Sequence, residues 1–245
     1  MRNFHLPGRS TVHSQNGMVA TSHSLASMVG MDTLKKGGNA VDAAISMALV
    51  LPLCEPQSTG LFGDAFALIK TSETDEIIGI NGSGKSPKDL NSELMRSKGH
   101  IDMPETDVSS ITLPGAMAAF DSLHKKFGQL SLSDICGPAI FYAENGVVVS
   151  PRVAFDWSYS ASNLKGIAKR LYLNGNSPFK LGDLFFAPGQ AKVLREFSQK
   201  GAEGFYQGEV AEDLIASLRN LGGLHTLEDM NNVKADYVEP MKADF

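Results

Sequence analysis

Cysteine is scarce: 245 residues carry two, Cys54 and Cys136. That excludes a disulfide scaffold and a Cys-rich zinc module; one bridge between the two stays open, although no spacing asks for it. Positive charge is not in excess. Lys and Arg number 22 against 27 Asp and Glu, a net charge of −5, which speaks against a nucleic-acid or anionic-membrane partner. None of the six histidines forms an H-x-x-x-H or H-E-x-x-H pair, so no metal site is expected. No G-x-S-x-G elbow is present, so an α/β-hydrolase has no support. Long apolar runs are missing too. Residues 40–51, interrupted by Asp42 and Ser46, would span about 18 Å as a helix, short of the roughly 30 Å of a hydrocarbon core. The opening Met1-Arg2-Asn3-Phe4-His5-Leu6-Pro7-Gly8-Arg9 lacks the roughly 7–15-residue apolar stretch of a secretory signal. The expected location is the cytoplasm, with no membrane partner.

What is present is globular: 42% hydrophobic and 20% charged residues. The apolar periodicity is mostly helical. A helix is predicted over 24–36, stopped by Gly37-Gly38. Asn39 can cap the next, with Asp42 in its first turn favoured by the helix dipole. This second helix, apolar nearly all round, should be sandwiched between other elements. Pro114 opens a helix with Met117, Phe120, Leu123 and Phe127 on one face, where His124 is a partly exposed surface residue. Ser131 caps another, running through Ile135, Cys136, Ala139 and Ala143 to Asn145-Gly146. Further helices start at Pro188 and carry the stripe Val210, Ala211, Leu214, Ile215 and Leu218. Two short apolar runs, 65–69 and 77–80, flank a polar stretch and predict a β-hairpin with both strands well buried. Residues 91–108 are polar, a short helix and a loop. No repeat or composition shift marks a second domain, so residues 1–245 are expected to form a single domain.

Residues 79–86, Gly-Ile-Asn-Gly-Ser-Gly-Lys-Ser, match the phosphate-loop pattern G-x-x-x-x-G-K-[ST]. Pro87 argues against it, because a residue before proline is pushed out of the helical region that Ser86 would have to enter. The preceding strand also belongs to a hairpin, not to a parallel βαβ unit. A nucleotide-binding domain is kept as an alternative; the other reading of this stretch is a Gly-rich turn bearing a solvated lysine. Thr21-Ser22-His23 and Ser58-Thr59-Gly60 hold hydroxyls with no base beside them in sequence, and capping or turn roles suit them better.

Several segments taken together resemble a known family. They are Asn16-Gly17-Met18-Val19-Ala20-Thr21-Ser22-His23, Lys36-Gly37-Gly38-Asn39-Ala40-Val41-Asp42-Ala43-Ala44 and Glu55-Pro56-Gln57-Ser58-Thr59-Gly60 with Gly63 and Phe66-Ala67-Leu68. Leu113-Pro114-Gly115, Ala143-Glu144-Asn145-Gly146, Phe205-Tyr206-Gln207-Gly208 and Gly222-Gly223-Leu224-His225-Thr226-Leu227-Glu228-Asp229 continue in the same order. From about residue 16 onward the chain resembles the gamma-glutamyltransferase (gamma-glutamyltranspeptidase) family, and the K-G-G-N-A-V-D-A-A run is the most specific signal.

The resemblance implies an α+β fold, the αββα sandwich of N-terminal-nucleophile hydrolases. This chain would form only its N-terminal, helix-rich part with a buried β-hairpin, as an incomplete large subunit. It also implies acyl transfer or hydrolysis through a threonine that heads a small subunit, its own α-amino group serving as base. The chain reaches Lys242-Ala243-Asp244-Phe245 before any position that matches the cleavage site. No catalytic residue is therefore assigned here, and the expected partners are a small-molecule amide and a Thr-headed small subunit or C-terminal part. No cofactor is implied. The family's D-G-R-E stretch corresponds to Asn81-Gly82-Ser83-Gly84. Ser83 stands where an arginine would clamp an α-carboxylate, and a neutral hydroxyl cannot replace that bidentate contact. Ser83, Gly84 and Lys85 are the expected substrate-binding residues, and the substrate branch is one of amides other than glutathione. A non-catalytic fragment is the remaining alternative.

Overall fold

The computed structural model describes residues 11–243; the stretch Met1–Arg9 read for a signal lies outside the described residues. The chain begins with α1 (Ser24–Lys35), α2 (Ala40–Cys54), β1 (Ala65–Lys70), β2 (Ile77–Gly82), α3 (Ser92–Ser97) and α4 (Ala116–Phe127). It continues through α5 (Leu132–Asn145), β3 (Val147–Val148), α6 (Pro151–Ser160), α7 (Ile167–Tyr172) and β4 (Leu184–Phe185). It closes with α8 (Pro188–Lys200), α9 (Ala202–Tyr206), α10 (Gly208–Asn220), α11 (Leu227–Asn231) and β5 (Asp236–Val238). Two compact units result. One takes the chain up to Thr59 with Gln129–Leu194, the other Gly60–Gly128 with the chain from Arg195. Among the described residues no helix is long and apolar enough to cross a membrane.

In the first unit, α2 lies between α1 and α5, as its all-round apolar surface requires. Ile45, Leu49, Val50 and Leu53 are buried in this core. Asn39 builds a full capping box: its side chain accepts from Val41 and Asp42 backbone N–H, while Asp42 returns a bond to Asn39 N–H. Asp42 is fully buried and also accepts from the backbone N–H groups of Gln129 (3.1 Å) and Leu130 (3.3 Å). A second cluster packs Val149, Val153, Trp157 and Phe185, with Trp157 Nε1 donating to the Tyr172 carbonyl at 2.9 Å.

In the second unit, the sheet order is β1-β2-β5, antiparallel throughout. The hairpin register pairs Ala65 with Gly82 and Lys70 with Ile77. Its burial is one-sided, which corrects the expectation of two well-buried strands. Successive side chains of a strand point to opposite faces. Ala65, Ala67 and Ile69 are half-buried and Ile80 is buried, whereas Phe66 and Leu68 are 68% and 70% exposed. The covered face belongs to α4, which packs on both strands; no element of the described chain covers the other. Helix α4 begins at Ala116 with Gly115 as its N-cap, two residues beyond the expected Pro114. Helices α6, α7 and α9 and strands β3, β4 and β5 had no periodic signal long enough to announce them.

Candidate functional site

The three expected substrate-binding residues leave the end of β2 as extended chain. Ser83 and Lys85 are exposed and Gly84 is half-buried. Two side chains tie down this loop: Ser83 N–H donates to Asn81 Oδ1 at 2.9 Å, and Gly84 N–H to Asp64 Oδ1 at 2.9 Å. Leu113 N–H donates to the Lys85 carbonyl at 2.8 Å, and the Gly115 and Ala116 N–H groups meet the Gly63 carbonyl at 3.0 and 2.9 Å. The run Leu113-Pro114-Gly115 is thereby laid against the loop. The glycines follow from that close approach. A Cβ on Gly84 would fall on the Leu113 carbonyl, and one on Gly115 on the Gly82 carbonyl. Tyr206 secures the start of α4: its Oη donates to the Pro114 carbonyl at 2.7 Å and accepts from Ala118 N–H at 3.0 Å. Burial pushes its phenol well above the ordinary range, so it stays protonated and able to donate.

This geometry does not make a phosphate cradle. Such a cradle needs free backbone N–H groups and a helix starting at the Ser/Thr. Here the N–H groups of Ser83 and Gly84 are taken by Asn81 and by a carboxylate, and Ser86 enters no helix. Residues 79–82 lie in β2 between two antiparallel neighbours, not in a βαβ unit. The nucleotide alternative is overturned on those grounds.

The hydroxyl segments near residues 22 and 58 come together in the first unit. A cavity of about 940 Å³ is lined by Ser22, His23, Glu55, Gln57, Ser58 and Thr59, with Arg152 and Asp156 across it. Ser22 Oγ donates to Glu55 Oε2 at 2.6 Å. His23 caps α1 by accepting Leu25 N–H at Nδ1, 3.2 Å, which commits that ring nitrogen to its own helix. No Ser–His pair forms; the cap is His23, and the Ser22 hydroxyl, expected to cap or shape a turn, is bonded to Glu55 instead. Burial holds its imidazole below the ordinary pKa, with Glu55 opposing. His225, also buried, bonds the Ile111 carbonyl through Nε2 at 2.8 Å. Both thiols are buried and pushed up to about 12 by burial, which removes them from nucleophile chemistry. Among the described residues no group of His, Cys, Asp or Glu is arranged to hold a metal ion.

Asp64 and the Ser22–Glu55 pair escaped sequence reasoning. The bonds join residues 20 and 33 positions apart. Only the place of Asp64, directly before a strand whose partner ends in a Gly-rich turn, hinted at its reach.

The helix-rich α+β chain with its small antiparallel sheet, and the collinear motifs around it, fall within one class. The chain belongs to the gamma-glutamyltranspeptidase family, whose sequence model matches residues 26–245. It is 34% identical over 234 residues to the glutathione hydrolase-like YwrD proenzyme of Bacillus subtilis (strain 168), covering 93% of this chain and 44% of that protein. Among solved structures, it is similar to the cephalosporin acylase from Bacillus halodurans, with a TM-score of 0.92 and 36% identity over 99% of this chain and 47% of that one. The gamma-glutamyltranspeptidase of Helicobacter pylori superposes with a TM-score of 0.89 at 29% identity, covering 95% of this chain and 68% of that chain. The chain spans less than half the length of the curated relatives it matches. The expected N-terminal, helix-rich part of the N-terminal-nucleophile fold is borne out.

Proposed function

We propose that this chain supplies the large-subunit portion of a gamma-glutamyltransferase-like amidohydrolase whose acyl-accepting threonine heads a separate segment. Its partners are then that Thr-headed segment and a small-molecule amide. The two compact units are each part of that incomplete subunit. Residues 83–85 line the acyl site. The observation that carries this reading is the Ser83 loop. Close-packed glycines at 82, 84 and 115 hold it, so that Ser83 and Lys85 are the side chains it offers outward.

With Ser83 at the place of an arginine clamp, the preferred acyl group carries no α-carboxylate. Two relatives carry acylase names rather than glutathione hydrolase ones: the cephalosporin acylase and the acylase ACY 1 proenzyme of Pseudomonas sp. (strain V22). The test is Ser83→Arg in the complete protein. A new bidentate charged contact of about 1.5–3 kcal/mol would raise kcat/KM for γ-glutamyl amides over simple acyl amides by about 10- to 150-fold. A variant that folds and matures with an unmoved ratio removes Ser83 from the acyl site.

A further inference from the structure

Asp64 sits directly before β1, beside the end of β2, and its Oδ1 holds Gly84 N–H at 2.9 Å. The bond pins one carboxylate oxygen to the loop, while the residue stays exposed to solvent. Lys85 is the one cation between Asn81 and Ser86, and it is exposed on a flexible four-carbon stem. Asp64 opposes it with one charge of the other sign. Residues 83–85 together with Asp64 therefore carry no net formal charge, and the fixed member of the pair is the negative one.

We propose that Asp64 is a specificity-determining residue: its carboxylate, anchored on Gly84, sets the acyl site against acyl groups that carry a carboxylate and in favour of uncharged ones. The inference rests on the reading of residues 83–85 as part of the acyl site. The physics is Coulombic. Two like charges about 6 Å apart in a surface dielectric between about 40 and 80 repel enough to change a rate ratio about three- to tenfold. Because the donor to Asp64 is a backbone N–H, asparagine keeps the hydrogen bond and removes only the charge, whereas alanine removes both.

The experiment compares glutaryl and glutaramyl 4-nitroanilides, which differ in a carboxylate against a carboxamide, as substrates of the complete protein. Asp64→Asn should raise the glutaryl-to-glutaramyl ratio of kcat/KM about three- to tenfold. In the parent protein the ratio should climb with added salt as the repulsion from the anchored carboxylate is screened, and in Asp64→Asn, where Lys85 is the charge left, that climb should vanish or reverse. A purely structural role would leave the salt dependence of the two proteins alike, and that result overturns the proposal. So does a ratio moved by Asp64→Ala but not by Asp64→Asn. Ser83→Arg, measured alongside, separates the two levels. If it moves the ratio while Asp64→Asn does not, the acyl-site reading stands and the role of Asp64 fails. If neither moves it, both fail.

Discussion

His23 shows how one residue's surroundings set a pH response. The unfolded chain takes up a proton at an ordinary imidazole value near 6.5, while burial in the folded chain resists it and Glu55 offsets only part of that resistance. Below about pH 6.5 the unfolded state therefore binds more protons, and stability falls as the pH drops, until the folded imidazole is protonated too. Above that value both states are neutral and the effect is absent. Asparagine at 23 keeps a cap acceptor for Leu25 N–H and does not titrate. The urea midpoint of the parent chain should consequently drop further between pH 7.5 and pH 5 than that of His23→Asn. Equal drops would mean that His23 contributes nothing to acid sensitivity.

Capping boxes recur among the elements with the same extension. In each, the aspartate at the third helical position closes its own box and then accepts a distant backbone N–H. Asp42 at the start of α2 receives Gln129 and Leu130; Asp229 in α11 receives Lys88 at 3.1 Å. The device is electrostatically sound, since an anion near a helix N-terminus meets the positive end of the dipole. It also joins a local signal to a long-range one. Asn39→Ala removes a local cap and should cost about 1 kcal/mol. Asp42→Ala removes a buried acceptor shared by three backbone N–H groups, two of them beyond its own helix, and should cost about 3 kcal/mol or more. Urea unfolding of the two variants checks the order; a larger loss in Asn39→Ala would show that the distant bonds carry no weight.

On the scale of the whole molecule, one face of the sheet is left uncovered by the described residues. Phe66 and Leu68 stand exposed on β1, which is also the edge of the sheet order β1-β2-β5. An apolar edge strand is a template for association. The purified 245-residue chain should therefore self-associate at concentrations of about 10 μM and above, and the pair Phe66→Glu with Leu68→Lys should shift it toward monomer. Sedimentation velocity decides the matter, and a parent chain that sediments as a single monomeric species up to that range would refute it.

The sequence by itself determined the features whose causes lie within a few residues of one another. The stop of α1 at Gly37-Gly38, the Asn39 and Ser131 caps, the stripes of α5 and α10 and the turn at Gly222-Gly223 all depend on φ freedom, cap chemistry or a period of 3.6. The run from Lys36 to Ala44, on which the family resemblance chiefly rested, also writes the cap and the buried helix contiguously. The place of Ser83, Gly84 and Lys85 at the end of the hairpin was also legible, because β2 and the turn that follows are local. Tertiary structure alone decided that the hairpin is covered on one face, that β5 closes on β2, and that Asp64 reaches Gly84 while Ser22 reaches Glu55. These contacts join residues far apart in the chain. Their stability comes from closing long loops and burying shared surface, and neither leaves a periodic mark on the residues involved.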